Sequence, residues 1–200
     1  MAVSETIVRE YFELHDFFVR QNRKHIAPKR EDDEVDFYVH NPNGPTEGGE
    51  VPFVLENARD LETLTRAVVV VKAWHTEVFT QAVLAHAPEM FRFAGPETFA
   101  RATNAFGGPG PLTKILVIPA LPAGGEARQQ SIDLLHSKGI DAVIPFRTML
   151  SDLIEHIEVN RNYQKSDLLQ VIRILKNYDL FAPPQLELFD LPQPKRKAKV

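Results

Sequence analysis

The chain has 200 residues and no cysteine, which excludes disulfides, thiolate metal sites and a cysteine nucleophile. Its 44% hydrophobic and 25% charged residues are typical of a folded chain with one well-buried core. A net charge of −4 argues against nucleic-acid binding by overall charge alone, although local basic patches are compatible with it. Because no signal peptide and no membrane-spanning run is recognisable, the sequence predicts a cytoplasmic protein.

The first part of the chain predicts one helix and two strands. Residues 18–25 have the pattern of a strand with one polar face, and residues 35–39 form a β-rich pentapeptide. The second strand is expected to end at the turn-forming residues 41–45. Before these strands, Ser4 is a suitable cap for a helix whose apolar stripe consists of Ile7, Val8, Tyr11, Phe12, Leu14 and Phe17.

A third strand follows a short insertion. Within the insertion, residues 52–55 suggest a small additional strand and residues 57–66 a short helix. The run 67–71 is entirely apolar and mostly β-branched, which predicts a central strand that is buried on both faces.

The rest of the chain alternates helices with strands and then changes character. The glycine- and proline-rich residues 107–111 predict a loop. From residue 183 onward the sequence is rich in proline and has neither a helical nor an alternating period, which predicts a flexible tail. The other predicted elements are a helix at 76–93, a strand at 114–118, a helix at 127–137, a strand at 140–146, and helices at 148–159 and 166–178.

This order of elements predicts an α/β fold with a mixed central sheet flanked by helices. We expect an αβββαβ core at residues 1–147, a helical pair packed on it at 148–182 and the tail at 183–200. The last two helices also offer a surface for a homodimer.

An aspartate and a lysine stand at the ends of two neighbouring predicted strands. Asp36 lies at the start of the second strand, Lys72 ends the third, and Glu10 and Glu13 lie on the first helix. With the αβββαβ order, this pattern resembles the PD-(D/E)XK, or restriction-endonuclease-like, nuclease superfamily. That group includes many restriction enzymes and Holliday-junction resolvases, and its pattern is a first-helix Glu, a strand Asp and then an acidic-x-Lys.

The resemblance implies a catalytic set for phosphodiester hydrolysis. Asp36 and Lys72 take the family's Asp and Lys positions, and Glu10, with Glu13 as the alternative, takes that of the first-helix acid. Carboxylates of such a set hold Mg²⁺, which stabilises charge on the scissile phosphate, while the lysine positions or helps to deprotonate the attacking water.

The sequence departs from this family at position 70. Val70 stands where the family has Asp or Glu, so the acid has either migrated or been lost. Glu77, at the start of the predicted next helix, is the obvious replacement, and Asp36 and Glu77 are then the expected metal ligands. The alternative is that Lys72 is an ordinary strand-end lysine and that Asp36 faces solvent or pairs with a basic neighbour.

Two further groups of residues are candidates for contact with nucleic acid. Trp74 and His75 follow Lys72 directly, so the indole is placed to stack on a base and the imidazole to contact phosphate or relay a proton. The alternative for Trp74 is that it fills the gap between the sheet and the next helix. Arg23 and Lys24 belong to a basic run, which is equally typical of a solvated turn.

The tail contains the pentapeptide Gln185-Leu186-Glu187-Leu188-Phe189 directly after two prolines. It resembles the peptide Gln-Leu-Ser/Asp-Leu-Phe with which bacterial replication and repair proteins dock on the β sliding clamp. In such a peptide Leu188 and Phe189 fill an apolar pocket, Leu186 a shallower one, and Gln185 hydrogen-bonds at the rim. The alternative is that these apolar residues pack back onto the domain.

These resemblances imply a DNA-processing or repair protein, a Mg²⁺-dependent nuclease that the sliding clamp recruits. The alternative is a catalytically inactive protein of the same fold that binds DNA or serves as an adaptor on the clamp. A protein-interaction domain unrelated to DNA is a third interpretation, and it predicts neither clamp binding nor DNA affinity at low salt.

Overall fold

The computed structural model describes residues 3–21 and 35–181. Over these ranges the chain is an α/β fold with a five-stranded mixed sheet flanked by helices, which confirms the predicted fold class. Two 3-10 helices, Ala58–Thr63 and Pro88–Ala94, join the regular elements. Those elements are α1 (Val3–Leu14), β1 (Phe18–Gln21), β2 (Phe37–His40), β3 (Arg66–Val71), α2 (Gln81–Ala85), α3 (Pro96–Ala105), β4 (Thr113–Ile118), α4 (Gly125–Ser137), β5 (Ala142–Pro145), α5 (Phe146–His156) and α6 (Asp167–Asn177).

The five strands lie in the sheet in the order in which they occur in the chain. β1, β2 and β3 are antiparallel neighbours, and β4 and β5 are parallel to β3. The carboxyl ends of β3, β4 and β5 therefore meet at one edge with the amino end of β2. We call this edge, formed by Asp36, residues 72–75, residues 119–120 and Phe146, the carboxyl edge.

β3 is buried on both of its faces, as its continuous apolar sequence predicts. Residues 67–70 are each no more than 1% exposed. Val68 and Val70 belong to an apolar cluster that includes Leu84 of α2 and Leu135 of α4. Fully burying one such side chain contributes roughly 1.5–3 kcal/mol, so this cluster is a major source of stability for the domain.

The insertion between β2 and β3 reaches β5, the outer strand at the other side of the sheet from β1. Val54 forms a parallel bridge with Val143 of β5, in which Leu55 N donates to Val143 O at 2.9 Å and Val143 N donates to Phe53 O at 2.7 Å. The strand predicted at 52–55 is thus a short pairing segment beside β5. The helix predicted at 57–66 is the 3-10 helix Ala58–Thr63, which Asn57 caps through the backbone N–H of Arg59.

The prediction of a single helix at 76–93 is wrong. α2 begins only after Thr80, whose hydroxyl accepts the backbone N–H of Val83 at 3.3 Å. Pro88 has no N–H with which to continue an α-helix, and the chain forms a 3-10 helix there. Pro96 then starts α3, an element that the sequence analysis missed, because proline is well suited to the first turn of a helix.

The chain divides into two compact units after His156. The first unit includes α5 and so extends beyond residue 147, where the core was predicted to end. α5 belongs to it because it packs on α1, and the rings of His15 and His156 lie 5.5 Å apart. In the second unit, the Ser166 hydroxyl caps α6 through the N–H of Leu169 at 3.3 Å. No helix in the described ranges is long and apolar enough to cross a membrane.

Candidate functional site

Lys72 lies at the carboxyl edge, one residue beyond β3. Its backbone N–H donates to Val117 O at 2.9 Å, which continues the β3–β4 pairing and fixes the position of the residue. The side chain is partly buried, and no other described residue hydrogen-bonds or ion-pairs with its ammonium group. The backbone of Lys72 is therefore fixed at the end of a rigid strand, and its ammonium group is available to an anionic ligand.

Asp36 is fixed beside Lys72 through β3. Its backbone N–H donates to Val69 O at 3.0 Å, and its Oδ2 accepts the backbone N–H of Val71 at 2.7 Å. The carboxylate thus satisfies a strand N–H just beyond the last β2–β3 residue pair, Phe37 with Val69. The structure brings together the two strand residues of the predicted catalytic set, and it gives Asp36 a structural role as well.

Val70, the position at which the resemblance leads one to expect an acid, belongs to the apolar core. It is 1% exposed and lies in the same cluster as Phe79, Met90 and Leu116. A carboxylate in these surroundings would lose its hydration without gaining a partner, which is strongly unfavourable. The core has been built around valine at this position.

The other predicted acids do not complete the set. Glu77 is exposed and lies in a turn, where its N–H donates to Trp74 O at 2.8 Å, so its expected place at the start of a helix is wrong. The Glu10 side chain is only 7% exposed and pairs with Arg9 at 2.8 Å. Burial raises the pKa of Glu13, and the positive charge of the nearby Arg9 partly offsets this rise.

No three His, Asp or Glu side chains within residues 3–21 and 35–181 form a group that could hold a metal ion. Mg²⁺ requires a near-octahedral set of oxygen ligands, usually with one or two protein carboxylates. Asp36 already binds a strand N–H, and the structure groups neither Glu77 nor Glu10 with it in a metal-binding set. The described residues therefore contain no group of three ligands for Mg²⁺, and the expected pair of ligands, Asp36 and Glu77, stays a prediction from the sequence.

His75 is anchored to the first turn of α1 and to the start of α5. Its Nε2 lies 2.9 Å from the hydroxyl of Ser4, and its ring meets that of Phe146 edge to face at 4.6 Å. Ser4 is only 8% exposed, so its hydroxyl positions the imidazole. From the sequence Ser4 was expected only to cap α1, because its partner is 71 positions away in the chain.

Trp74 forms one wall of a surface cleft next to the carboxyl edge. The residue is 41% exposed, and its ring packs edge to face on Phe79 at 5.6 Å. The indole therefore fills part of the gap before α2 and keeps part of its surface open. The cleft has a volume of about 760 Å³ and is lined by Ala73, Trp74, His75, Thr76, Glu77, Ala82, Val83, His86, Ala87 and Glu89.

A second polar cluster, which the sequence analysis missed, joins the ends of α1 and α5. Asp152 Oδ2 lies 2.7 Å from His15 Nε2, and its Oδ1 lies 3.4 Å from His156 Nδ1. Tyr11 is packed against His15, with ring centroids 5.2 Å apart. Asp152 and His156 also line a cleft of about 620 Å³ in which Arg147 is exposed. Nothing in the local sequence signals a pairing between residues 137 positions apart.

The remaining predicted site residues lie outside the described ranges. They are Arg23, Lys24, Gln185, Leu186, Leu188 and Phe189. Their assignment to DNA and to the sliding clamp stays a prediction from the sequence.

Comparison with known proteins finds no family for this chain. No protein-family model, no curated protein and no solved structure matches it.

Proposed function

We propose that this chain is a DNA-binding module of nuclease-like fold that acts in DNA processing or repair and docks on the bacterial β sliding clamp without hydrolysing DNA itself. The observation that carries the proposal is the carboxyl edge, where Lys72 and Asp36 are held together next to a core that contains Val70. This arrangement retains a cation for phosphate and lacks the second acid of a nuclease.

The order of the elements supports this choice of fold. A helix, three antiparallel strands, a helical segment and a parallel strand follow one another, as the resemblance to the PD-(D/E)XK superfamily implies. We assign Lys72, the residue directly after the third strand, to that superfamily's lysine position. Its ammonium is the group that we assign to a DNA phosphate, since lysine binds phosphate as a point charge.

The geometry favours the non-catalytic form over a Mg²⁺-dependent nuclease. The hydrolytic set named in the sequence, Asp36, Lys72, Glu77 and Glu10, needs its carboxylates around one ion, and no such group occurs in the described ranges. Binding to DNA needs only the positive charge and does not depend on the missing acid.

DNA binding can be measured by fluorescence anisotropy with labelled branched, nicked and flapped duplexes at low salt. We expect Lys72→Ala to weaken binding and to reduce the slope of log K against log salt by about one, because one phosphate contact is lost. Lys138→Ala is the matched control, since Lys138 is exposed at the end of α4 and its removal changes net charge equally. If the two substitutions changed the DNA affinity equally, the proposed contact between Lys72 and a DNA phosphate would be refuted.

Catalysis is tested with the same duplexes and added Mg²⁺. We expect no cleavage by the intact chain above that of the Lys72→Ala variant. Mg²⁺-dependent cleavage that Lys72→Ala abolishes would overturn the proposal in favour of an active nuclease.

Clamp docking is tested by retention of the intact chain on an immobilised bacterial β clamp. The double substitution Leu188→Ala and Phe189→Ala removes both apolar anchors of the pentapeptide and should abolish retention. Equal retention of the two proteins would refute this part of the proposal while leaving DNA binding to be judged separately.

A further inference from the structure

The cleft beside Trp74 has a charge that does not suit a phosphate ligand. Two of its lining residues are glutamates, Glu77 and Glu89, and none is lysine or arginine. Neither carboxylate forms an ion pair with another residue in the part of the chain that the structure describes. An anion that entered this cleft would meet two negative charges and no compensating cation, whereas a cation would meet two unpaired partners.

The aromatic wall of the cleft suits the same kind of ligand. Trp74 is 41% exposed, and an indole presents a π face with negative electrostatic potential that attracts ammonium and guanidinium groups. Its edge-to-face packing on Phe79, at 5.6 Å and 75°, fixes the ring while leaving part of its surface open to the cleft. Ala82, Val83 and Ala87 also line the cleft and provide an apolar surface for an aliphatic stem.

The walls of the cleft are held in place by the backbone. Glu77 N donates to Trp74 O at 2.8 Å, and Phe79 N donates to Ala120 O at 2.9 Å, which ties the loop to the segment after β4. On the other wall, His86 Nδ1 is hydrogen-bonded to Ala82 O at 2.7 Å. Because these contacts hold the loop that carries Trp74 and Glu77, a ligand would not have to order that loop on binding.

We propose that this cleft binds an organic cation, namely the guanidinium or ammonium group of an arginine or lysine side chain, with its stem on the apolar wall and its charge between Glu77, Glu89 and the face of Trp74. The site is separate from the DNA contact proposed for Lys72, which does not line the cleft.

Trp74 is the only tryptophan in the chain, so its fluorescence reports on this cleft specifically. The probes are an end-blocked Gly-Gly-Arg-Gly-Gly peptide, the same peptide with citrulline in place of arginine, and tetramethylammonium chloride. We expect a saturable change of Trp74 emission with the arginine peptide, weaker binding of the neutral citrulline peptide, and progressive loss of affinity as added salt screens the carboxylates.

Saturation by tetramethylammonium as well would support a general cation site that free amines can occupy. Binding of the arginine peptide alone would support a site for a protein side chain. Equal binding of the arginine and citrulline peptides, or no saturable change with any probe, would overturn the proposal. Tighter binding of deoxyadenosine monophosphate than of the arginine peptide would also overturn it, and would indicate a nucleobase pocket.

The double variant Glu77→Gln and Glu89→Gln should bind the arginine peptide with roughly tenfold lower affinity, because two solvent-screened charge contacts are lost. Glu97→Gln with Glu126→Gln is the matched control, since both glutamates are exposed on other helices and the net charge changes equally. Unchanged affinity in the cleft variant, measured also by calorimetry, would sink the assignment. DNA binding and clamp retention by the cleft variant should match those of the Glu97→Gln, Glu126→Gln control, which has the same net charge, and this keeps failure here distinct from failure of the proposed function.

Discussion

Replacing Tyr11 by phenylalanine should stabilise the domain at neutral pH. Tyr11 is fully buried, and its hydroxyl has no hydrogen-bond partner among the described residues. Burial raises the pKa of Tyr11, and the negative charges of Asp152 and Asp60 raise it further. The hydroxyl has therefore lost its hydration on folding without a hydrogen bond in return, and phenylalanine removes this oxygen while keeping the ring.

An unsatisfied buried hydroxyl costs about 1–3 kcal/mol, so removing it should raise the free energy of unfolding by roughly 1 kcal/mol or more. For a chain of this size, each additional 1 kcal/mol of unfolding free energy raises Tm by roughly 2–4 °C.

The stabilisation by Tyr11→Phe, relative to the parent, should grow in alkali. A group whose pKa is raised by folding contributes stability that is fully present below its unfolded pKa, about 10 for tyrosine, and is lost as the pH rises above that value. Phenylalanine has no proton to lose, so the variant should keep this stability.

The measurement is urea unfolding, followed by circular dichroism, at neutral pH and at several pH values above 10. Tyr178→Phe is the control, because Tyr178 is 71% exposed and its change should stay within about 0.5 kcal/mol. A loss of stability in Tyr11→Phe at neutral pH would refute the reasoning, since it would mean that the hydroxyl has a favourable partner. Parallel alkaline losses in the parent and the variant would refute the assignment of that loss to Tyr11.

Three other substitutions test local contacts in the two compact units. Asp36→Asn removes the negative charge from the acceptor that binds the Val71 N–H. The free energy of unfolding, measured in urea, should fall by roughly 1 kcal/mol. An unchanged free energy would contradict the structural role of this carboxylate. Val70→Asp introduces the acid that the nuclease resemblance leads one to expect and should destabilise the domain by roughly 3 kcal/mol or more without producing Mg²⁺-dependent cleavage. A stable, active variant would contradict the core assignment. Ser166→Ala removes the hydroxyl that caps α6 by accepting the Leu169 N–H, and should lower the stability of this helix by about 1 kcal/mol. Amide hydrogen exchange in α6 should therefore become faster. Unchanged exchange would contradict the cap.

Strong local patterns gave the fold, and weak ones failed where a single proline or hydroxyl decided the outcome. The run 67–71 has no polar residue, and its burial on both faces followed directly from that. The helix predicted at 76–93 failed because Thr80 starts a new helix and Pro88 ends the α-helical backbone. Apolar spacing across such a region cannot by itself separate one long helix from several short ones.

The candidate site was only partly predictable. Strand ends can be read from the sequence, and in the structure Asp36 and Lys72 lie at the same edge of the sheet. Their roles stay a prediction. The contacts of these residues depend on the fold. The Asp36 carboxylate binds a backbone N–H, and Ser4 meets His75 across 71 positions, so neither contact leaves a signal in the local sequence.

The bridge between Val54 and Val143 has a consequence for synthesis and aggregation. An exposed outer strand offers its unpaired N–H and C=O groups to other chains, and the insertion hydrogen-bonds to β5 on that side. Since Val143 leaves the ribosome long after Val54, this protecting segment has no partner until β5 has been synthesised. A chain arrested before β5 is complete would expose the segment as an apolar extended stretch, the form that chaperones bind and that nucleates intermolecular pairing.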